Sequence, residues 1–433
     1  MLLFNPVVIS VLIMAALCLL KVNVLLAILL SALVAGLTAG MPMGETMSVL
    51  ISGMGGNSET ALSYILLGAL AVAINKTGLA TILAKKISKS IKGKAVVLTL
   101  IIAAIGCFSQ NLIPVHIAFI PILIPPLLPL MNQLKLDRRA MACALTFSVK
   151  APYVTLSVGF GLIFHNIIRD QMIQNGVPIT TPEITGVMWI AGLSMLIGLL
   201  LAVLVVYRKP REYSDKLVDQ FENSEDLKMG TQQYMALVAA AIAFIVQIKF
   251  GSLPLGALAA LVIMVATGAI KFKDIDEMMD GGMKLMGFIA FVMLVAAGYG
   301  KVLRETGAVE ALVTVTAGMV GGKLGGAFLM LAVGLLVTMG IGTSFGTIPI
   351  LAAIYCPLAV KLGFSPAAIA LLIGVAGALG DAGSPASDST LGPTSGLNVD
   401  GQHDHIWDTC VPTFTFFNIP LFIAGVVGAL MLG

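Results

Sequence analysis

Charge is what this sequence has least of. Asp, Glu, Lys and Arg make up 11% of its 433 residues, while 58% are hydrophobic; a soluble domain carries about 25% charged residues. Mean hydropathy is +1.02. A chain this poor in ionic groups cannot cover a globule in water, so the composition specifies an integral membrane protein. At about 20 apolar residues per spanning helix, the length allows roughly 10 to 12 membrane elements, which excludes a single-span receptor and leaves no soluble domain. The formal charge of +3 is what basic loops at a membrane surface produce, and it does not point to nucleic acid.

Catalytic and redox signatures are missing too. Cys18, Cys107, Cys143, Cys356 and Cys410 lie far apart with no CxxC spacing, so they read as small core residues rather than metal ligands or a redox pair. There is no HExxH, no GxSxG in a membrane segment and no GxxxxGK[ST] loop, and Leu379 stands where a membrane aspartyl protease needs glycine; neither an intramembrane enzyme nor an ATP-driven pump is expected. No basic n-region precedes the first apolar stretch, so a retained helix is expected there rather than a signal peptide.

What is present is apolar length, arranged twice. Runs long enough to span fall at about 4–20, 24–39, 60–75, 185–206, 231–248, 252–270, 283–300 and 410–432, and two longer regions, 95–163 and 325–397, are interrupted by Pro, Gly and polar residues. IPIL at Ile120–Leu123 recurs at Ile348–Leu351, an offset of 228, and Lys76-Thr77-Gly78 meets Glu305-Thr306-Gly307 at 229. The reading is two units, 1–206 and 231–433, joined by a polar linker at 207–230. Each holds three plain spans, a re-entrant hairpin with a broken helix, and one further span. Five crossings per unit is odd, so the second copy is expected upside down, an all-α polytopic plan of inverted repeats used by secondary transporters.

The basic residues fit this topology. With the N-terminus outside, 18 of the 25 Lys and Arg fall on the cytoplasmic side, six fall outside, and Lys150 lies within the membrane. Ala80–Lys94 should lie along the cytoplasmic surface as an interfacial helix, with Val309–Lys323 as its counterpart outside. The glycines of Gly321–Gly326 suit close helix packing.

Functional candidates sit where the apolar regions break. Ser109, Gln110 and Asn111 mark the first hairpin tip, and Thr343, Ser344 and Thr347 the second; such oxygens bind small cations or polar solutes, or else hydrogen-bond between helices. Lys150 precedes Pro152, whose ring should unwind the helix there, and Asp381 lies beside Gly380, Gly383 and Pro385, with Ser384 and Asp388 following. Charged groups at this depth are expensive and are functional hypotheses by default. An inverted two-fold would bring Lys150 and Asp381 together, as a pair able to exchange a proton or as a salt bridge that fixes the breaks. His116 on the first hairpin is a proton carrier or a packed histidine. His403 and His405, with Asp404 and Asp408, resemble a metal site only superficially.

The run from Gly380 to Pro412, GDAGSPASDSTLGPTSGLNVDGQHDHIWDTCVP, together with the repeat plan resembles the sodium/proton antiporter family related to NhaC, within the ion transporter superfamily. The resemblance implies two inverted repeats around one central site, usually a homodimer, in the bacterial inner membrane. Ser109–Asn111 and Thr343–Ser344 would match the hairpin tips, and Lys150 and Gly380–Ser384 the unwound segments. It implies no cofactor and no metal beyond transported sodium. Sodium-coupled relatives often carry Ser-Asn-Thr triplets, whereas the first tip here is Ser109-Gln110-Asn111, and Lys150 brings a fixed cation that favours proton coupling. Some similar members are amino-acid permeases, histidine included. The leading expectation is cation/proton antiport with Asp381 as the alternating carboxylate; the alternative is proton- or sodium-coupled uptake of an amino acid or other small organic solute.

Overall fold

The structure is a computed structural model that describes residues 5–20, 22–79, 82, 95–112, 120, 124–214, 229–250, 252–308, 321–341, 344–385 and 387–433. His116, Thr343, most of Ala80–Lys94 and of Val309–Lys323, and linker residues 215–228 lie outside it, as do the side chains of Ser109, Gln110, Asn111 and Asp388.

Every regular element among the described residues is helical. The first half runs α1 (Pro6–Leu19), α2 (Val24–Thr38), α3 (Met43–Met54), α4 (Ser58–Lys76), α5 (Ala95–Leu112), α6 (Leu128–Gln133), α7 (Arg138–Thr155), α8 (Phe160–Gln174) and α9 (Thr181–Leu201). The second runs α10 (Thr231–Phe250), α11 (Leu253–Ala266), α12 (Ile275–Glu305), α13 (Lys323–Ile341), α14 (Ser344–Lys361), α15 (Pro366–Ala378) and α16 (Asp388–Leu397), and π-helical turns at His405–Cys410 and Phe414–Asn418 lead into α17 (Ile419–Leu432). Among the described residues five helices are long and apolar enough to cross a membrane, the bent pair α7 and α8 makes a sixth, and shorter apolar helices accompany them. The protein is a multi-pass membrane protein.

Local chemistry sets the helix starts. Asn23, Asp137 and Ser365 accept N–H groups of the first turns of α2, α7 and α15, and Pro366 fits the first position of α15. The 228-residue offset extends to these boundaries: Ala95 and Lys323, Arg138 and Pro366, and Phe160 and Asp388 each begin helices that far apart.

The core is built by close helix contact. α12 packs against α2, α3, α4 and α14, and at its crossing with α4 a Cβ on Gly68 would stand 2.8 Å from the carbonyl oxygen of Gly282. Only glycine lets the backbones meet there.

Two expectations need correction. Pro152 does not end its helix: α7 continues to Thr155, and the break lies at Leu156–Gly159, where Gly159 has φ +60. A proline inside a helix removes one N–H and kinks it, but the following turn re-forms because the Leu156 N–H reaches the Pro152 carbonyl at 2.9 Å. Lys150 therefore sits within a continuous helix, and only Asp381 occupies a break. Of the glycines in Gly321–Gly326, Gly326 packs against Leu362, whereas Gly321 and Gly322 face open space and Gly322 (φ +84) turns the chain into α13. Residues 43–54, which lie outside the apolar runs, form a further helix, α3.

The two halves are tied at one end of the bundle. Arg138 at the start of α7 is fully buried and donates to Asp400 Oδ1 and Oδ2 at 2.7 and 2.6 Å, to the Leu397 carbonyl at 2.9 Å and to Asn132 Oδ1 at 3.0 Å. It thereby caps the C-terminal end of α16. The first residues after α9 join in: Tyr213 lies under the guanidinium, Arg211 pairs with Asp408 at 2.8 Å, and Ser214 exchanges hydrogen bonds with Gln402. Arg138→Ala would leave the Asp400 carboxylate, 2% exposed, without its partner, an expected loss of about 3–5 kcal/mol read as a lowered unfolding midpoint in detergent. Burial raises the Asp400 pKa, but the hydrogen bonds and charge of Arg138 hold it below the ordinary carboxylate value. Its stabilising share is therefore present above that ordinary value and is lost as pH falls through the lowered one.

Candidate functional site

Lys150 lies in the last two turns of α7, fully buried, with its ammonium turned toward the break between α15 and α16. That break runs from Leu379 to Ser387. Gly380 adopts φ +77, a single 3₁₀ turn covers Asp381–Gly383, and Asp381 is buried within it. The Gly380 N–H donates to Asn418 Oδ1 at 3.1 Å, so the unwound backbone is held by the segment leading into α17.

The two ionisable groups meet. Lys150 Nζ and Asp381 Oδ2 form a direct, hydrogen-bonded ion pair. The ammonium has three N–H donors, and the other two find Ser344 Oγ at 2.9 Å and Tyr153 OH at 3.1 Å. Ser344 opens α14, and its hydroxyl donates to Asp381 Oδ2 at 2.5 Å while its backbone N–H lies 3.3 Å from the same oxygen. Tyr153, one turn after Lys150, stands 2.9 Å from Ser344 Oγ and 3.3 Å from Asp381 Oδ2. Ser387 donates to Asp381 Oδ1. Ser389 holds the Asp381 carbonyl at 2.9 Å, and Thr146 of α7 in turn donates to the Ser389 carbonyl at 2.7 Å.

One monovalent cation, the lysine ammonium, is thus surrounded by a carboxylate, a serine hydroxyl and a phenol. Oxygen sets of this kind bind hard cations, and here they are gathered from α7, α14 and the α15–α16 break.

The other candidates are placed as follows. Ser109, Gln110 and Asn111 occupy the last turn of α5, and Asp388 starts α16. Thr347 is buried in the first turn of α14, one turn past Ser344. Ser384 donates to the Met339 carbonyl at 2.9 Å and its own carbonyl accepts from Thr390 at 2.5 Å. His403 bonds Thr409 Oγ1 at 2.7 Å and so folds the 398–409 segment on itself, while His405 ties that segment to Thr394 at 2.7 Å and the Pro385 carbonyl at 2.9 Å.

Sequence reasoning missed Tyr153, Ser387 and Ser389, and it missed His165. His165 closes the α7 break: Nε2 lies 2.9 Å from the Val154 carbonyl, and Nδ1 lies 2.5 Å from Ser157 Oγ and 3.2 Å from Thr185 Oγ1. A carbonyl only accepts, so Nε2 carries the hydrogen and Nδ1 accepts. The signal available was a polar pair, Ser157 and His165, at the end of the interrupted region 95–163.

Gly380→Ala tests the shape of the break. A Cβ there would lie 2.6 Å from both the Leu335 carbonyl oxygen and the Met339 nitrogen, and an alanine at positive φ adds about 1–3 kcal/mol of backbone strain. The expected result is a lower unfolding midpoint with transport reduced beyond the loss of folded protein, because Asp381 is the next residue.

A model of the Na+/H+ antiporter family matches residues 144–426, which include Lys150 and Asp381, and a second Na+-H+ antiporter family model matches residues 5–91. The chain is similar to the putative amino acid transporter YuiF of Bacillus subtilis, with 49% identity over 99% of this chain and 100% of that one. An uncharacterised membrane protein of Vibrio parahaemolyticus is 48% identical over 99% of this chain and its own full length. Two solved structures share the fold: the YdaH transporter of Alcanivorax borkumensis, described as having an unusual topology (TM-score 0.61, 14% identity, 90% of this chain and 88% of that one), and MtrF of Neisseria gonorrhoeae, described as illuminating a class of antimetabolite efflux pumps (TM-score 0.62, 14% identity, 89% and 84%).

Proposed function

The chain belongs to the Na+/H+ antiporter family and is a membrane transporter, and from this premise we propose that it exchanges Na+ for H+ with the Lys150–Asp381 pair as its coupling centre. The observation that carries the reading is the ammonium held by Asp381, Ser344 and Tyr153 in place of a metal cation. Na+ and the protonated lysine compete for the same oxygens. When Lys150 gives up its proton, Asp381, Ser344, Ser387 and Tyr153 are free to hold Na+; when Na+ leaves, Lys150 is reprotonated and pairs again. Exclusive occupancy is what couples the two ions. The carboxylate never stands in the interior without a cation, which would cost several kcal/mol.

Access from either side fits two units, 1–206 and 231–433, related by an inverted two-fold. The recurrence of helix starts at a 228-residue offset supports the repeat, and the meeting of Lys150 from one unit with Asp381 from the other suits a site at their interface.

A second reading, coupled transport of an amino acid, is favoured by the name of the relative that is 49% identical over its full length. In that case Lys150 would take the solute carboxylate. Purified protein in liposomes separates the two. Under an imposed pH gradient reported by an internal dye, added Na+ should collapse the gradient with wild-type protein and leave it unchanged with Asp381→Asn. No response to Na+ or K+, with saturable uptake of a radiolabelled amino acid by the same vesicles, would overturn antiport in favour of the second reading.

A further inference from the structure

Lys150 is fully buried and Asp381 is 6% exposed, and a polar cavity lies at the other end of a stack of rings that leads to them. At the end of the broken span opposite Arg138, the α3–α4 junction and α8 enclose about 240 Å³ lined by Ser58, Glu59, Ser63, Asn166, Asp170 and the Gly55–Gly56 backbone, among others. That volume holds several waters. On α8 the lining residues Ile163, Ile167 and Asp170 fall at helical spacing on one face, and the same face continues one turn deeper to Phe160.

Phe160 begins a continuous stack of rings. Its centroid lies 5.5 Å from Tyr64, which directly follows Ser63 of the cavity wall, and 6.4 Å from Phe345. Tyr64 and Phe345 meet edge to face at 5.8 Å, and Phe345 lies 5.0 Å from Tyr153, whose hydroxyl holds Lys150. Phe345 also follows Ser344, the hydroxyl shared by both charges. Tyr64, Phe160, Phe345 and then Tyr153 thus form a continuous run of packed rings from the cavity wall to the ion pair.

The cavity is suited to a cation. Its lining offers two carboxylates, hydroxyls and backbone carbonyls; Asp170 is shared with Arg169 from outside the lining, at 2.7 Å. Beside it Gln171 is buried, and its Oε1, an acceptor, has no hydrogen-bond partner among the described residues. The Gln171 side-chain nitrogen, a donor, lies 4.0 Å from where a Cβ on Gly56 of the wall would stand.

We propose that this cavity is the vestibule by which the transported cation reaches Asp381, and that Tyr64, Phe160 and Phe345 are the gate that closes it in this conformation. The inference rests on the transport reading above and assigns that site an entry side.

Cysteine labelling of the full chain in liposomes, with the five native cysteines replaced, tests it. Ser58→Cys at the rim reports access to the mouth, Ser63→Cys the floor, and Ser344→Cys the far side of the rings. Ser63→Cys should react about tenfold faster with a trimethylammonium methanethiosulfonate than with its sulfonate analogue, the preference falling when Glu59→Gln is added. Ser344→Cys should be unreactive, and should become reactive when Phe160→Ala or Tyr64→Ala is added. A labelled Ser58→Cys with an inert Ser63→Cys, an equal rate with both reagents, or a reactive Ser344→Cys behind intact rings would overturn the proposal. Labelling does not depend on which solute moves. The expected labelling pattern without Na+-driven proton flux would therefore sink antiport and keep the vestibule, and the reverse would do the opposite.

Discussion

Asp381→Asn is expected to abolish coupled transport in a protein that still folds. The amide keeps the shape of the carboxyl and can accept from Lys150, Ser344 or Ser387, the partners that now hold Asp381, but it offers no charge to balance either Lys150 or a bound Na+. Losing one member of a buried, hydrogen-bonded charge pair costs about 2–5 kcal/mol, and at 1.4 kcal/mol per factor of ten this corresponds to roughly 30-fold to several thousandfold weaker cation binding. The measurement is the dye-reported proton flux set beside a detergent melting curve. Full flux with an unchanged melting point would remove Asp381 from the mechanism.

Lys150→Ala is expected to act in the opposite sense on sodium. Without the ammonium, Asp381 keeps Ser344 and Ser387 as donors but loses its counter-charge, and an uncompensated buried carboxylate destabilises a fold by about 3–5 kcal/mol. Na+ binding restores the missing charge, so added Na+ should raise the melting point of Lys150→Ala more than that of the wild type. Proton movement should fall away while Na+/Na+ exchange persists, because the competitor that tied Na+ release to proton uptake is gone. A variant with normal rate and unaltered sodium and pH dependence would reduce Lys150 to a structural tie between α7 and the α15–α16 break. The double change Lys150→Ala with Asp381→Ala should melt closer to wild type than Lys150→Ala alone, since no charge then remains unpaired.

Much of this protein was decided by composition and local pattern. With 11% charged residues no fold in water was available, and the apolar runs at 24–39, 231–248 and 283–300 became α2, α10 and the middle of α12. Lys150 and Asp381 stood out because a charge in an apolar segment carries a cost that some partner must offset. The glycines and proline around Asp381 marked a break, and glycine at positive φ is a property of one residue.

The partners were another matter. Ser344 stood out only as a hairpin-tip hydroxyl with no partner assigned, and Tyr153 and Ser387 did not stand out, since a serine or threonine can equally bond its own preceding turn, as Ser31 and Thr413 do. Only packing α7 against α14 and the α15–α16 break turned these three toward one carboxylate. Arg138 and Asp400 lie 262 residues apart and give no local sign of pairing. Pro152 promised a break that the fold placed one turn later, where Gly159 could take φ +60 and His165 could hold the freed carbonyl of Val154. Sequence thus determined the class, the helices and the two expensive charges, because burial cost and backbone freedom belong to single residues and short windows. Tertiary structure decided which oxygens surround the charges and where the helix opens, because a hydrogen bond between distant segments exists only once packing has brought both ends to the same point.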